Sequence, residues 1–273
     1  MSCVAAEIAA GNCREEAETA SGAEVTHRLA NVRSRIEKAK AQRPKNMDSD
    51  VHLIAVSKTK PVSLIREAYS CGQRDFGENY VNELCTKATH SEILEFCPDI
   101  RWHFIGHLQS NKVNKLLGVP NLHCVHSVHS SKLANLLDRA WGALHKEEPL
   151  KIMIEVNVSR EPNKDGCTEE EVLEIFPHIL ANNKNLSIIG LMLIGYAHHD
   201  LTVGPNPDME RMVSLRNDVC EVVSMRNDAH KVNLIPKDIG LSMGMSHDFE
   251  HAITLGSTYV RVGTLIFGDR KKE

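Results

Sequence analysis

The feature that most constrains this chain is a regular alternation of short β-type runs with segments of helical spacing. There are eight β-type runs, most of them rich in apolar residues. The runs are His52–Val56, Arg74–Gly77, Arg101–Gly106, His123–Val128, Lys151–Val158, Ser187–Ile194, Ile239–Gly244 and Tyr259–Gly263. Strands that alternate with helices form parallel βαβ units, and eight such units in about 220 residues predict a closed barrel.

The segments between these runs carry apolar residues at the spacing of helices. They are Val62–Cys71, Tyr80–Ala88, Asn111–Leu117, Ser131–His145, Glu169–Asn182, Met209–Met225 and His247–Leu255. Another helix is predicted ahead of the first strand, where Val25, Leu29, Val32, Ile36 and Ala39 share one face. The predicted fold class is therefore α/β: a single (β/α)8 TIM-type barrel in residues 25–273, with an additional N-terminal helix. A doubly wound open sheet is the alternative, but its Gly-rich dinucleotide fingerprint is missing.

Residues 1–24 differ in character from the rest of the chain. They contain five acidic residues and a single basic one, Arg14. A secretory signal needs a basic start and a long apolar stretch, and a mitochondrial transit peptide is poor in acids. We therefore predict a disordered acidic tail at residues 1–24 and a cytoplasmic location for the protein.

Charge and cysteine content exclude several classes of protein. The chain has 32 Lys and Arg against 36 Asp and Glu, a net charge of −4, which does not favour a nucleic-acid partner. No apolar run approaches the roughly 18 residues that cross a bilayer, so no membrane partner is expected. The eight cysteines form no C-x-x-C pair and have no regular spacing. They indicate reduced thiols in a soluble intracellular protein.

Five of the predicted strands end at a glycine. These glycines are Gly77, Gly106, Gly195, Gly244 and Gly263. In a (β/α)8 barrel the carboxyl ends of the strands carry the active site, and glycine lets the backbone approach a ligand closely. A turn from strand to loop explains any one of them, whereas five on one rim favour a ligand pocket.

Lys58 is the candidate nucleophile at this rim. It follows the apolar residues Leu53–Val56, so it is predicted at the barrel mouth, partly shielded from water. Such shielding disfavours the charged form of an amine and prepares it to attack an aldehyde. An exposed loop lysine is the simpler alternative. Lys60 is expected to lie beyond the pocket.

The ends of the seventh and eighth strands favour a phosphate group. Ser246 and Thr264 each follow a Gly-containing turn and each begins a predicted helix, a combination that suits an anion. Plain helix N-caps are the alternative. Arg261 lies inside the eighth strand between two valines, so its side chain is expected within the barrel. There it would contact a ligand atom or form an ion pair with an acid such as Glu155.

Histidines are frequent enough to raise the question of a metal site. His123, His126 and His129 are regularly spaced, and His103 and His107 are four residues apart. In a strand, however, His123 and His126 point to opposite faces, and no Cys or carboxylate completes a tetrahedral set. We therefore predict no metal site. No Ser-His-Asp or paired-carboxylate motif emerges either, so no catalytic residue is assigned.

Six motifs together carry a resemblance to a known family. They are VSKTKP at Val56–Pro61, FGENY at Phe76–Tyr80, HFIGHLQSNK at His103–Lys112, GLMLIG at Gly190–Gly195, LSMGMS at Leu241–Ser246 and VRVGTLIFG at Val260–Gly268. In this order they resemble the pyridoxal phosphate homeostasis protein family, its eukaryotic members most of all, over roughly residues 25–270. The resemblance implies an alanine-racemase-like, fold-type III barrel that holds pyridoxal 5′-phosphate (PLP) and has no known catalytic activity.

The resemblance also implies which residues anchor the cofactor. Lys58 matches the family lysine that binds PLP covalently, as an aldimine. Ser246, Gly263 and Thr264 match phosphate-holding positions, and Arg261 matches the arginine that faces the pyridine nitrogen.

Further positions that match the family line the pocket or form its rim. Asn79, His107 and Met243 match pocket-lining residues. The chain departs from the family pattern at His247, where a small or acidic residue is common, and at Leu193, where Thr or Ala is common. Neither departure removes a residue that anchors the cofactor. They leave open only which residues form the rim of the pocket.

These observations imply a non-catalytic PLP carrier or buffer that acts in vitamin B6 homeostasis. It would be a monomer or weak dimer, and PLP-dependent apoenzymes would be its recipients. A PLP-dependent amino-acid racemase is the first competing hypothesis, but related racemases take their second base from an extra β-domain, and this chain ends five residues after Gly268. An aldolase that uses Lys58 without a cofactor is the second competing hypothesis, and an interaction scaffold is the third.

Overall fold

A computed structural model describes residues 24–44, 50–194, 199–226 and 234–269 of the chain. Within these ranges eight parallel strands form a closed barrel, in which each strand pairs with the next and the eighth pairs with the first. The predicted (β/α)8 architecture is confirmed.

The strands lie within a few residues of the predicted runs. They are β1 His52–Val56, β2 Asp75–Glu78, β3 Arg101–Phe104, β4 Leu122–Val128, β5 Leu150–Asn157, β6 Leu186–Ile194, β7 Gly240–Ser242 and β8 Tyr259–Val262. Parallel pairing places all eight carboxyl ends at one rim, here called the barrel mouth, and all eight amino ends at the opposite end, here called the barrel base.

Helices follow or precede every strand. Helix α1 spans residues 24–41, and the others are α2 Val62–Ser70, α3 Val81–Ala88, α4 Ser91–Phe96, α5 Val113–Leu117, α6 Ser131–Gly142, α7 Glu169–Asn182, α8 Pro207–Arg226, α9 Phe249–Thr254 and α10 Thr264–Phe267. Helix α4 is absent from the sequence prediction because it is short and buries only Ile93, which leaves little periodicity to detect. Thr168 and Glu171 form a capping box at the start of α7, with both reciprocal hydrogen bonds present.

Helix α1 packs along the outside of the barrel. Its predicted apolar residues are all buried: Val25, Leu29, Val32, Ile36 and Ala39. Polar contacts hold its other faces, since Arg33 donates to the carbonyl of Cys71 and Arg35 forms a two-point ion pair with Glu250 on α9. These contacts explain why the chain carries a helix ahead of its first strand.

The acidic tail predicted for residues 1–24 lies outside the described residues, apart from Glu24, at which α1 begins. Its disorder stays a prediction. Among the helices that the structure describes, none combines the length and the apolar content that crossing a membrane requires. The six cysteines within the described ranges are all free thiols.

Candidate functional site

The carboxyl ends of β1, β2 and β8 place the predicted anchor residues at the barrel mouth. Val56 pairs with Gly77 on β2, and Ala55 pairs with Val262 on β8, so the residues that follow these three strands share one rim. Lys58 is half-buried there, whereas Thr59 is exposed and has a positive φ of 62°. The backbone therefore turns sharply just after Lys58. This turn restricts the positions that the Lys58 amine can occupy.

A buried ion-pair network lies behind the Lys58 loop. Lys87, on α3, donates hydrogen bonds to the carbonyl of Ser57 at 2.7 Å, to Glu78 Oε1 at 2.7 Å and to Glu83 Oε1 at 2.6 Å. Ser57 Oγ donates to the same Glu78 oxygen at 2.7 Å, and the Thr59 N–H donates to Glu83 at 2.5 Å. The network thus holds the residues on both sides of Lys58.

Sequence reasoning missed this network. Glu83 and Lys87 are four residues apart on one helix, and that spacing was the only local signal. Burial raises the pKa of Glu78, and the charge of Lys87 opposes this effect. Because Glu78 is fully buried, its carboxylate depends on the ammonium group of Lys87.

Arg261 points into the barrel, as its place in β8 predicted. Its guanidinium donates to the carbonyl and the hydroxyl of Ser242, both at 2.7 Å, and to the carbonyl of Leu193 at 3.2 Å. No ion pair joins it to Glu155 in the part of the chain that the structure describes. Burial lowers the pKa of Arg261 to about 10, so the group remains cationic at neutral pH.

Glu155 is a second buried group inside the barrel that sequence reasoning mentioned only as a partner for Arg261. Its Oε2 atom is buried and has no hydrogen-bond partner among the described residues. Burial raises the pKa of Glu155 to about 8, and the charge of Asp165 acts in the same direction. The side chain is therefore mostly protonated at neutral pH and is able to donate a hydrogen bond.

This raised pKa predicts a pH-dependent stability. A carboxyl whose pKa is higher in the folded than in the unfolded state costs nothing at acid pH, and its cost grows as the pH rises through the folded value. Glu155→Gln should therefore raise the free energy of unfolding by at least about 1 kcal/mol at about pH 9 and change little at about pH 4. Thermal unfolding of both proteins across this range tests it, and an equal effect at the two pH values would contradict it.

The two predicted phosphate positions differ in local structure. Gly263 is the N-cap of α10 and Thr264 is its first residue, as predicted. Ser246 does not begin a helix: α9 starts at Phe249, and Ser246 lies in the preceding turn. That prediction was wrong because the Asp248 side chain accepts the N–H of Met245 at 2.6 Å and stabilises a turn before the helix.

Glycine is required in the turn that leads to Ser246. Gly244 has a φ of 93°, and a Cβ atom there would lie 2.6 Å from the Cβ of Ala252 and 2.8 Å from the Cα of Phe249. The turn therefore packs directly on α9. The Met243 side chain is fully buried in the hydrophobic core, and its role in lining the pocket stays a prediction.

Asn79 and His107 follow β2 and β3 at the same rim. The Oδ1 atom of Asn79 is buried and lacks a hydrogen-bond partner among the described residues. Its backbone runs close to Gly106, where a Cβ would lie 2.0 Å from the Asn79 carbonyl oxygen. His107 is more exposed, with its Nδ1 atom 3.1 Å from a carboxylate oxygen of Asp165 and its ring stacked on that of His129.

The strand-end glycines thus have packing roles of their own. A Cβ at Gly77 would lie 2.8 Å from the Ile54 side chain, and one at Gly263 would lie 3.1 Å from the Val56 carbonyl oxygen. The fifth glycine, Gly195, lies outside the described residues. Lys60 donates to the carbonyls of Gly268 at 2.9 Å and Asp269 at 2.7 Å, so its amine is directed towards the end of α10.

The histidines are arranged differently from the sequence expectation. The rings of His123 and His126 both lie 5.2 Å from the ring of His103. The strand register shifts between Trp102 and His103 and again within β4, so the simple alternation of faces does not hold. Asp75 on β2 groups with His103 and His123, and Cys124 on β4 groups with His103 and His126. Each group has three possible ligands, so neither is a complete tetrahedral set, and the absence of a metal site stays a prediction.

Comparisons with known proteins place the chain in a family. Residues 28–271 match the family described as the N-terminal domain of alanine racemase. The human pyridoxal phosphate homeostasis protein is 46% identical over 243 residues, which is 89% of this chain and 85% of the human protein.

Solved structures give the same result. PipY of Synechococcus elongatus PCC7942, solved with PLP bound, aligns with a TM-score of 0.69 at 34% identity and covers 89% of this chain and all of its own. Alanine racemase of Clostridium difficile 630 shares the fold, with a TM-score of 0.57 at 12% identity over 90% of this chain and 58% of its own. The chain therefore belongs to the alanine racemase N-terminal domain family and, within it, to the pyridoxal phosphate homeostasis proteins.

Proposed function

We propose that this protein binds PLP at the barrel mouth and acts as a carrier or buffer of the cofactor in vitamin B6 homeostasis. The observation that carries the proposal is the position of Lys58, Arg261 and the amino end of α10 around one rim. Relatives support it, since the human protein is named for PLP homeostasis and PipY was solved with PLP bound.

The residues at the mouth fit the functional groups of PLP. Lys58 offers an amine for the aldehyde, while Ser246 and Thr264 offer hydroxyls for the phosphate. The buried Oδ1 of Asn79 would be satisfied by a hydrogen-bond donor, and PLP carries a phenolic hydroxyl of this kind. When bound, PLP supplies an aldehyde that a lysine amine attacks and an aromatic ring that draws electrons from the attached group.

Arg261 supports a protein with little turnover of its own. The resemblance assigns it to the pyridine nitrogen, and with a pKa of about 10 it is a cation at neutral pH. A cation at this place disfavours a protonated ring, and an unprotonated ring withdraws electrons less strongly. We therefore assign no catalytic residue and no resident metal to the mouth.

Absorbance spectroscopy tests the proposal most directly. The purified protein should show a near-visible band that borohydride removes, and peptide mapping should then find the pyridoxyl group on Lys58. A modified peptide with Lys60 or Lys112 as the dominant site would contradict the assignment. Steady turnover of an amino acid would instead favour a racemase, and a colourless protein that cleaves sugar phosphates would favour an aldolase.

A carrier must also transfer PLP to the enzymes that use it. The loaded protein should release PLP to a PLP-dependent apoenzyme faster than the apoenzyme acquires it from an equal concentration of free PLP. Recovery of apoenzyme activity over time measures the transfer, and equal rates from the two sources would contradict the role.

We expect the carrier to be cytoplasmic and a monomer or weak dimer.

The phosphate end of the site predicts a separable loss of affinity. Ser246→Ala combined with Thr264→Ala should leave the near-visible band intact at high PLP concentration but raise the Kd. Each lost charge-assisted hydrogen bond costs about 1.5–3 kcal/mol, which is roughly tenfold or more per site. The double variant should also lose its preference for PLP over pyridoxal, as fluorescence titration would show. An undiminished preference would mean that the phosphate binds elsewhere.

A further inference from the structure

A polar cluster occupies the interior of the barrel below the proposed cofactor site. Asp75 is the first residue of β2, His103 lies in β3, and Cys124 and His126 lie in β4. All four are buried, and His103, Cys124 and His126 are at most 1% exposed. One nitrogen of each histidine and the Sγ of Cys124 lie within 4.8 Å of one another.

Hydrogen bonds determine where the protons of this cluster lie. His103 Nε2 is 2.9 Å from Asp75 Oδ1, and His103 Nδ1 is 2.9 Å from His126 Nε2. Asp75 also accepts two hydrogen bonds from Arg101, which keeps it a carboxylate, so it accepts the proton of His103 Nε2. His103 Nδ1 then carries a lone pair and accepts from His126 Nε2.

This arrangement leaves a lone pair without a donor. His126 Nδ1 is buried and has no hydrogen-bond partner among the described residues. Each of the two rings then carries one proton and one lone pair. Two neutral imidazoles and a thiol meet in a closed space, and such groups are ligands for a transition metal.

We propose that His103, Cys124 and His126 form a zinc site inside the barrel. Zinc takes imidazole and thiolate ligands, and these three residues supply three of the four ligands of a tetrahedral site. Cys124 also packs against the side chains of Met153 and Met192, whose thioether sulfurs are soft groups in the sense of metal coordination. Asp75 would hold His103 Nε2–H from outside the site, which fixes the tautomer that presents Nδ1 to the metal.

The protons of the cluster balance when zinc binds. Binding moves the His126 proton from Nε2 to Nδ1, which frees Nε2, and removes the proton of Cys124 to solvent. One proton is therefore released for each zinc ion bound, with no oxidation or reduction. The Cys124 thiolate offsets one charge of the ion, and the Asp75 carboxylate, which also pairs with Arg101, lies 2.9 Å from the ligand His103.

Metal content of tag-free, reduced, PLP-loaded protein tests the proposal. After incubation with zinc and removal of loose metal, we expect about one bound ion per chain by elemental analysis. Cys124→Ala and His126→Gln should weaken zinc binding at least tenfold, and Asp75→Asn about tenfold. Cys97→Ala is the matched control, because Cys97 is equally buried but lies outside the cluster, and it should bind zinc as the wild type does.

Cobalt substitution gives a second measurement on the unaltered protein. The cobalt form should show cobalt–thiolate charge-transfer absorption that persists in Cys97→Ala and is lost in Cys124→Ala. A wild type that lacks this absorption, or that retains no more zinc than folded Cys124→Ala, would overturn the proposal. The wild-type cobalt spectrum decides the question even if a variant fails to fold. The near-visible cofactor band is recorded in parallel, so failure of the zinc site and failure of PLP binding remain distinguishable.

Discussion

Replacing Lys58 with alanine is expected to abolish covalent attachment of PLP while leaving weaker, reversible binding. Among the residues proposed to hold PLP, Lys58 alone carries an amine that can bond to the aldehyde, so the near-visible band and borohydride fixation should both disappear. The phosphate end and Arg261 remain in the variant, so PLP should still bind with a Kd raised tenfold or more, about 1.4 kcal/mol at the least. Equilibrium dialysis with PLP measures this residual binding.

Two control variants distinguish the loss of the Lys58 amine from the loss of its positive charge. Lys58→Arg keeps a cation at this position without an amine that attacks an aldehyde, so it should lose fixation as completely as Lys58→Ala does. Lys60→Ala should retain the band, because the Lys60 amine bonds to the carbonyls of Gly268 and Asp269. Fixation that survives in Lys58→Ala would show that another lysine carries the cofactor.

Most of the fold could be predicted from the sequence because its signals are local and repeated. Strand β1 matches its predicted range at both ends, as does helix α7, whose capping residues Thr168 and Glu171 mark its start. Each βαβ unit requires a parallel neighbour, so eight of them leave a closed barrel as the simplest arrangement. The same logic predicts Lys58 at the barrel mouth and Arg261 inside the eighth strand.

What could not be predicted depends on side chains that meet across different elements. The predicted start of α9 was wrong because Asp248 stabilises a turn before the helix, and the spacing of apolar residues does not reveal that contact. The prediction that His123 and His126 point to opposite faces was wrong, because the irregular register of β4 interrupts the alternation of side chains along the strand. Asp75 joins these histidines only through the pairing of β2 with β3, which sequence spacing does not encode.

The Lys58 loop is the clearest case of a site that depends on such contacts. Its position follows from the sequence, but its support comes from Glu78 at the end of β2 and from Lys87 on α3. Lys87 is only 6% exposed, which is unusual for a lysine and is explained by its three hydrogen bonds.

Lys87→Met should therefore lower the free energy of unfolding by about 3–5 kcal/mol, because it leaves the carboxylate of Glu78 buried without a cation. Burial already raises the pKa of Glu78, and loss of the ammonium group raises it further. A carboxyl whose pKa is raised in the folded state costs stability that grows from the unfolded pKa up to the folded pKa and disappears below the unfolded pKa, so the deficit should shrink as the pH falls. Chemical denaturation at neutral and acid pH measures both effects, and PLP affinity should fall as well, since the network holds Ser57 and Thr59.

Two further variants identify the cause of this loss. Adding Glu78→Gln to Lys87→Met removes the stranded charge, so the pair should be more stable at neutral pH than Lys87→Met alone. Lys115→Met is the matched surface control: Lys115 is exposed and, within the described part of the chain, donates one hydrogen bond, to Asn82 Oδ1 at 2.8 Å, so its loss should cost no more than about 0.5 kcal/mol. A deficit in Lys87→Met that stays the same at every pH, or that Glu78→Gln fails to relieve, would mean that lost packing rather than an unpaired carboxylate destabilises the Lys58 loop.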